Sequence, residues 1–416
     1  MIVYIIMIIM SCFFCYKSLQ NENKKQKKIM QILSAIPFII ISAIRYDVGT
    51  DYLIRYKPGF ETILRGKEVF NYEIGFSMLN KLCLLFTDHY QSIFIVTSIL
   101  INTFIFYVIY KKSDKPLLSI LVYFVGAYYF ESMNGVRQFL AMAILMIAFL
   151  YSEKGKLLPI ILCGIMAYYI HNISLILFAA ILFLTLLVKQ KKEIMIFSYW
   201  YIIIAFFVIL FFQEPILNCL YFVMKFTRFK SYINGKYDYG DFQIIPIIVN
   251  IASYIYLYTE YQKSKQKKLD KKILLNLQFV GVLLLLLTGI NTLFLRISYM
   301  FTIFQVISVP YFYNGTIKLS VIKANLHKIE IKKIINNLKT NLKNIKIKIN
   351  KDYFKNLQLN KIELKLPLIF VLAMYLISFA YINVFHNVEE CLPYQTFFGS
   401  EINEKKWFNL YSNSSV

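Results

Sequence analysis

The chain has 416 residues and draws most of its positive charge from lysine, yet six arginines stand out: Arg45, Arg55, Arg65, Arg137, Arg228 and Arg296. A guanidinium carries a flat fork of donors that grips phosphate or carboxylate at two points and keeps its charge when partly dehydrated. Two of the six fall in RYDVGTDYLIRY (45–56), beside Asp47 and Asp51 and among Tyr46, Tyr52 and Tyr56. Arg137 opens an apolar run in ESMNGVRQFLAMAI, one turn from Asn134, and Arg296 lies about a turn inside the run of GINTLFLRISYMF. An arginine at that depth in a bilayer costs about 2.5–3.5 kcal/mol or more unless it is paired or lines a wet cavity. His171, in AYYIHNISLIL, sits at an expected helix break between apolar segments. These residue types suit a ligand that carries phosphate together with groups that hydrogen-bond. The alternative is that the arginines pair with nearby acids and only fix helix ends.

The elements that must position these residues are hydrophobic helices. The sequence is 58% hydrophobic with a mean hydropathy of +0.56, and apolar runs near the roughly 20 residues needed to cross a bilayer recur from end to end. The reading is an all-α polytopic membrane protein with about twelve transmembrane helices. The runs include 1–16, 29–45, 116–133, 135–151, 157–170, 172–188, 292–311 and 367–385. The N-terminal run lacks a basic leader and a small-residue cleavage site, so it reads as a span. Lysine clusters at 17–28, 111–115, 152–156, 189–193 and 262–272 should face the cytoplasm. They agree with one threading, in which both termini and all six arginines lie outside. The run near 74–87 would break that threading if it crossed, so it reads as a re-entrant or interfacial segment on the outer side. The net charge of +23 is then retained lysine, not a nucleic-acid surface. Residues 1–311 form the helical bundle with the outer charged site. Residues 312–366, with thirteen lysines and three acids, form a basic cytoplasmic loop, either an amphipathic helix on anionic membrane lipid or a solvated linker. Residues 367–416 hold the last span and an outer tail. The six cysteines show no metal-ligand spacing and read as small apolar residues.

RYDVGTDYLIRY, then YEIGF, GVRQFLAMAI, HNIS, an arginine in a late span, and LPYQTFF near the C-terminus together resemble the EpsG-like branch of the Wzy-type polysaccharide polymerases, the enzymes of O-antigen and capsule assembly. The resemblance runs in order along nearly the whole chain. It implies a bacterial inner-membrane glycosyltransferase with its active site on the periplasmic or extracellular side. The substrate would be a polyprenyl-diphosphate-linked oligosaccharide. The growing glycan would leave its lipid diphosphate for the non-reducing end of another lipid-linked repeat unit. No cofactor or metal is implied, because the bond energy resides in the glycosyl diphosphate. A chain-length regulator is an expected partner.

Within that resemblance, roles follow from what the transfer requires. Fixed cations must hold diphosphate as charge grows on the leaving oxygen; Arg45, Arg137 and Arg296 are the first candidates, with Arg55 beside them. A base must take the acceptor proton; His171 and Asp51 compete, and Glu73 is third. Tyr46 and Tyr52 could stack on sugar rings or hold lipid at the interface. Rival readings are a flippase for the same lipid-linked glycan, a glycosyltransferase using a polyprenyl-phosphate sugar, and a membrane acyltransferase built on the histidine. A flippase should spread charge along the membrane path, whereas charge here gathers at one face.

Overall fold

A computed structural model describes residues 1–69, 72–225, 243–264, 267–291, 293–313, 366–388 and 390–396. The described helices belong to a unit made of Met1–Asn314 and Pro367–Val416. The second unit, Gly315–Leu366, lies outside the described residues except for Leu366, and with it the loop expected at 312–366. Arg228 and the last two residues of LPYQTFF also lie outside them.

Helices α1 (Ile2–Gln20) and α2 (Lys24–Ala43) form a hairpin across a short turn. Asn23 starts α2 by accepting from the amides of Lys25 and Gln26, a cap that satisfies two otherwise orphaned donors. A π-helical turn, Tyr52–Tyr56, runs into α3 (Lys57–Leu64), followed by α4 (Ile74–Leu84). Next come α5 (Gln91–Lys112), α6 (Pro116–Val125), α7 (Tyr128–Asn134), α8 (Val136–Ser152), α9 (Leu157–Ile170) and α10 (Leu175–Lys189). The chain continues with α11 (Trp200–Phe211), α12 (Gln213–Lys225), α13 (Ile244–Lys263), α14 (Leu269–Leu286), α15 (Leu293–Thr302), α16 (Gln305–Phe312) and α17 (Leu366–Phe379). All six cysteines are free.

Five of the described helices are long and apolar enough to cross a membrane, and eight if each of three bent pairs is one span. Length and composition therefore do not reach the expected twelve crossings. The reason is local. The runs at 116–133 and 292–311 are each two helices, bent by 54° at Gly126–Ala127 and by 43° near Phe304. The runs at 135–151 and 157–170 make helices of 17 and 14 residues, about 26 and 21 Å long. Helix α4 has 11 residues, about 16 Å, well short of the bilayer core.

The two bends face each other. Tyr128, the first residue of α7, donates to the carbonyl of Thr302 and the side chain of Gln305, both 2.8 Å away. Gln305 in turn bonds Asn250 at 2.7 Å and Tyr375, so α7 supplies a donor to the Thr302 carbonyl at the break and α13 and α17 satisfy the Gln305 amide. Backbone that leaves helical geometry at membrane depth survives only where such partners exist. The C-terminal half of one broken pair, α7, and the N-terminal half of the other, α15, both carry side chains toward the same end of the bundle.

The two ends are chemically different. Gln91 at the start of α5 bonds the Ala43 and Arg45 carbonyls, while Lys112 at its end bonds Glu153 beyond α8. The 22 residues of α5 separate these points by about 33 Å.

Candidate active site

Four chain segments build a cleft at the arginine end. The first is the turn before α3. Gly49 has φ +96°, and a Cβ there would lie 3.1 Å from the Met133 carbonyl oxygen; both facts call for glycine. This close approach lets Thr50 Oγ1 and the Asp51 amide donate to Asn134 Oδ1, at 2.7 and 3.0 Å. The second segment is the junction of α7 and α8. Gly135 separates α7 from α8 without a side-chain cap, and Gly135, Arg137 and Gln138 at the opening of α8, an end with partial positive charge, line the cleft. The third is the start of α4. A Cβ on Gly75 would meet the Tyr169 carbonyl at 2.7 Å, so only glycine lets α4 pack against the end of α9, and that contact brings Glu73 next to His171. The fourth is α15, which presents Arg296 and, one turn on, Tyr299.

Asp51, Arg55, Glu131, Arg137, His171 and Arg296 all line this cleft. Arg137 Nη1 lies 2.6 Å from Glu73 Oε2, and its guanidinium sits over the Tyr72 ring, 5.0 Å from the centroid. His171 Nδ1 lies 3.5 Å from the other Glu73 oxygen, which also accepts from the Asn172 amide at 3.3 Å. Glu73 thus joins the arginine and the histidine. Burial alone would raise its carboxyl pKa, but the contact with His171 and the charge of Arg137 outweigh burial and hold it at about 2. The His171 imidazole is shifted below the ordinary histidine value, chiefly by burial, against the pull of Glu73. Neither ring nitrogen makes a hydrogen bond among the described residues, Nδ1 having Glu73 at ion-pair distance and Nε2 no such neighbour. Arg55 is only 3.5 Å from Asp51, half-exposed. Arg296 is exposed to the cleft with no acidic partner among the described residues.

The structure does not bring Arg45, Tyr46 or Tyr52 to the cleft. Arg45 is 1% exposed; its guanidinium donates to the Ser42 and Met133 carbonyls at 2.7 and 3.0 Å and packs on the Phe94 ring. Tyr52 is stacked on Phe94 and donates to Gln91. Tyr46 is buried against Tyr52. The physical reason is the C-terminal tail. Thr396 bridges Arg45, and the Gln395 and Glu390 carbonyls accept from Tyr46 and Gly49, which covers this stretch. Arg65 ends α3 on the surface. Conversely, sequence reasoning passed over Glu131, Gln138 and Tyr299 as site residues. Gln138 donates to the Arg296 carbonyl at 2.5 Å and so ties α8 to α15. The available signals were proximity in sequence: Gln138 follows Arg137, and Tyr299 is one helical turn from Arg296.

A helical bundle of apolar spans with a polar cleft at one end, lined by three arginines, two acids and a histidine, is the architecture of an integral membrane protein. The sequence matches the model of the EpsG family over residues 28–327, and the chain belongs to that family. Membership fits a polysaccharide-polymerase or glycosyltransferase-like role. No curated protein and no solved structure matches the chain.

Proposed function

We propose that the protein polymerises lipid-linked oligosaccharide repeat units, transferring a growing glycan from polyprenyl diphosphate to a hydroxyl at the non-reducing end of a second lipid-linked unit. The observation that carries this reading is the convergence of Arg55, Arg137 and Arg296 with His171 in one cleft. In the step, the acceptor oxygen attacks the anomeric carbon and a glycosidic bond forms. The bond from that carbon to the diphosphate oxygen breaks, and its electron pair stays on the diphosphate. Arg296 and Arg55, with the opening turn of α8, meet that growing negative charge. Arg137 contributes its charge while held by Glu73.

The acceptor proton goes to His171. With Nδ1–H turned toward Glu73, the Nε2 lone pair is free to take it, and Glu73 stabilises the imidazolium that results. Glu73 itself, with a pKa near 2, is too weak a base for this at neutral pH; it positions His171 and Arg137. Asp51 is the competing base. The active site would lie at the outer face of the bacterial plasma membrane, the side free of the lysine clusters. A chain-length regulator is a proposed partner.

Deletion in the host, followed by analysis of lipid-linked glycan, tests this. Single repeat units accumulating on the outer leaflet support polymerisation. Units stranded on the cytoplasmic leaflet would identify a flippase instead, and a ladder shortened by one sugar would indicate a single-sugar transferase.

A further inference from the structure

A second feature lies at the lysine end, away from the cleft. Along α2, Lys24, Lys28, Ile32, Ala35 and Ile39 recur at spacings of three and four and so share one face. Facing them on α5 are Thr103, Phe106, Tyr107, Tyr110 and Lys111, and the two stripes enclose a groove. Its floor is closed by buried Phe106 and by a Ser34–Tyr110 hydroxyl pair at 2.5 Å. Its flank is apolar and open: Ile32 is 56% and Tyr107 46% exposed. The mouth is ringed by Lys24, Lys27, Lys28 and Lys111, all exposed.

None of these four lysines has an acidic partner among the described residues. Neighbouring Lys112, by contrast, is held by both Glu153 and Asp270. Four ammonium groups around one mouth repel each other unless an anion sits among them. An apolar trough leading away from that mouth fits a hydrocarbon chain attached to the same anion. We propose that the groove binds an anionic membrane phospholipid, its phosphate among Lys24, Lys27, Lys28 and Lys111 and an acyl chain along Ile39 and Phe106. Lysine supplies point charge without fork geometry, so the site selects anionic over zwitterionic lipid and does not read the rest of the headgroup. Each lysine near an anionic surface adds attraction that salt only partly screens, so losing four should weaken binding by at least about tenfold.

The test uses the full-length protein in phosphatidylcholine nanodiscs doped with phosphatidylglycerol, with bound lipid read by native mass spectrometry. Wild type should retain one phosphatidylglycerol selectively. The exposed quadruple variant Lys24→Gln, Lys27→Gln, Lys28→Gln and Lys111→Gln should lose at least tenfold of that retention. Ala35→Trp, which fills the trough without touching charge, should lose a similar amount. A control variant neutralising Lys154, Lys156, Lys189 and Lys191 should retain the lipid. Equal retention of both lipids by wild type overturns the proposal, as it would if the groove took an acidic protein segment instead. Equal loss in the control, or undiminished retention in Ala35→Trp, overturns it as well, because either result means attraction to a basic surface without a groove.

Discussion

The two ends of the bundle handle buried charge differently. At the lysine end, Lys112 is enclosed by Glu153 and Asp270, and Asp270 also accepts from Tyr311 at 2.7 Å. Lys271 lies over the Tyr311 and Phe312 rings. Every charge in this cluster meets an opposite charge or an aromatic face, and the result fastens α5, α8, α14 and α16 together. At the arginine end, Glu73 holds Arg137 and Asp51 lies 3.5 Å from Arg55, but Arg296 has no acidic partner among the described residues. A saturated network stabilises a fold and binds nothing further. In the proposed function, the cation left over at the arginine end is the one that meets an incoming anion.

That comparison can be broken by mutation. The largest effect belongs to Arg137→Ala, which removes cleft charge and releases Glu73. Polymerisation should fall by about a hundredfold to a thousandfold in a protein that still inserts and folds, measured as glycan per folded molecule. Arg137→Lys should also be impaired, since a point charge cannot reproduce the fork. Next is Asp270→Ala, which strands Lys112 with fewer partners. It should lower stability by about 1–3 kcal/mol in thermal unfolding while leaving the rate per folded molecule unchanged. A comparable loss of rate there would erase the distinction between the ends.

The pH profile sharpens the contrast between Glu73 and His171. The Glu73 carboxyl pKa is depressed to about 2. Its stabilisation is therefore present above the unfolded value near 4.3 and is lost as pH falls toward 2. Between pH 5 and 8 it stays ionised, so it contributes no inflection in rate. His171 is depressed below the ordinary histidine value, so the neutral imidazole persists at neutral pH, and the stability tied to its neutral form declines as pH falls below about 6.5. The acid limb of the rate should lie below pH 6.5 and disappear in His171→Gln. A normal profile with full activity in that variant would assign the base to Asp51.

Smaller effects separate packing from chemistry. Arg45→Met leaves the Met133 and Ser42 carbonyls without their donor and should cost about 1–3 kcal/mol of stability, with little change in rate per folded molecule. Tyr52→Phe loses the bond to Gln91 and should cost about 1 kcal/mol. Both are read by denaturation alongside activity.

Much of the cleft was legible in the sequence. Arg137, Arg296 and His171 stood out because charge beside apolar runs needs a reason, and the lysine pattern placed them on one face. Glu73 was legible as an acid but not as the link between Arg137 and His171, which depends on Gly75 approaching Tyr169. Arg45 was misleading because the tail that buries it lies some 350 positions away at Gln395 and Thr396. Local sequence carries no sign of that pairing. Glu131 was legible only as one of the outer acids, and Gln138 and Tyr299 were hidden because hydropathy periodicity treats residues within short amphipathic turns as ordinary packing. The helix breaks at Ala127 and Phe304 were hidden too, since apolar content continues through both.

In the proposed step Arg296, which has no acidic partner among the described residues, receives the diphosphate of the donor. Purified protein in nanodiscs, supplied with a lipid-linked repeat unit, tests it through the ladder of products and the release of polyprenyl diphosphate. Wild type should yield both. Arg296→Ala should bind acceptor yet leave single units and release at least a hundredfold less diphosphate. A full ladder from Arg296→Ala at the wild-type rate would contradict the account.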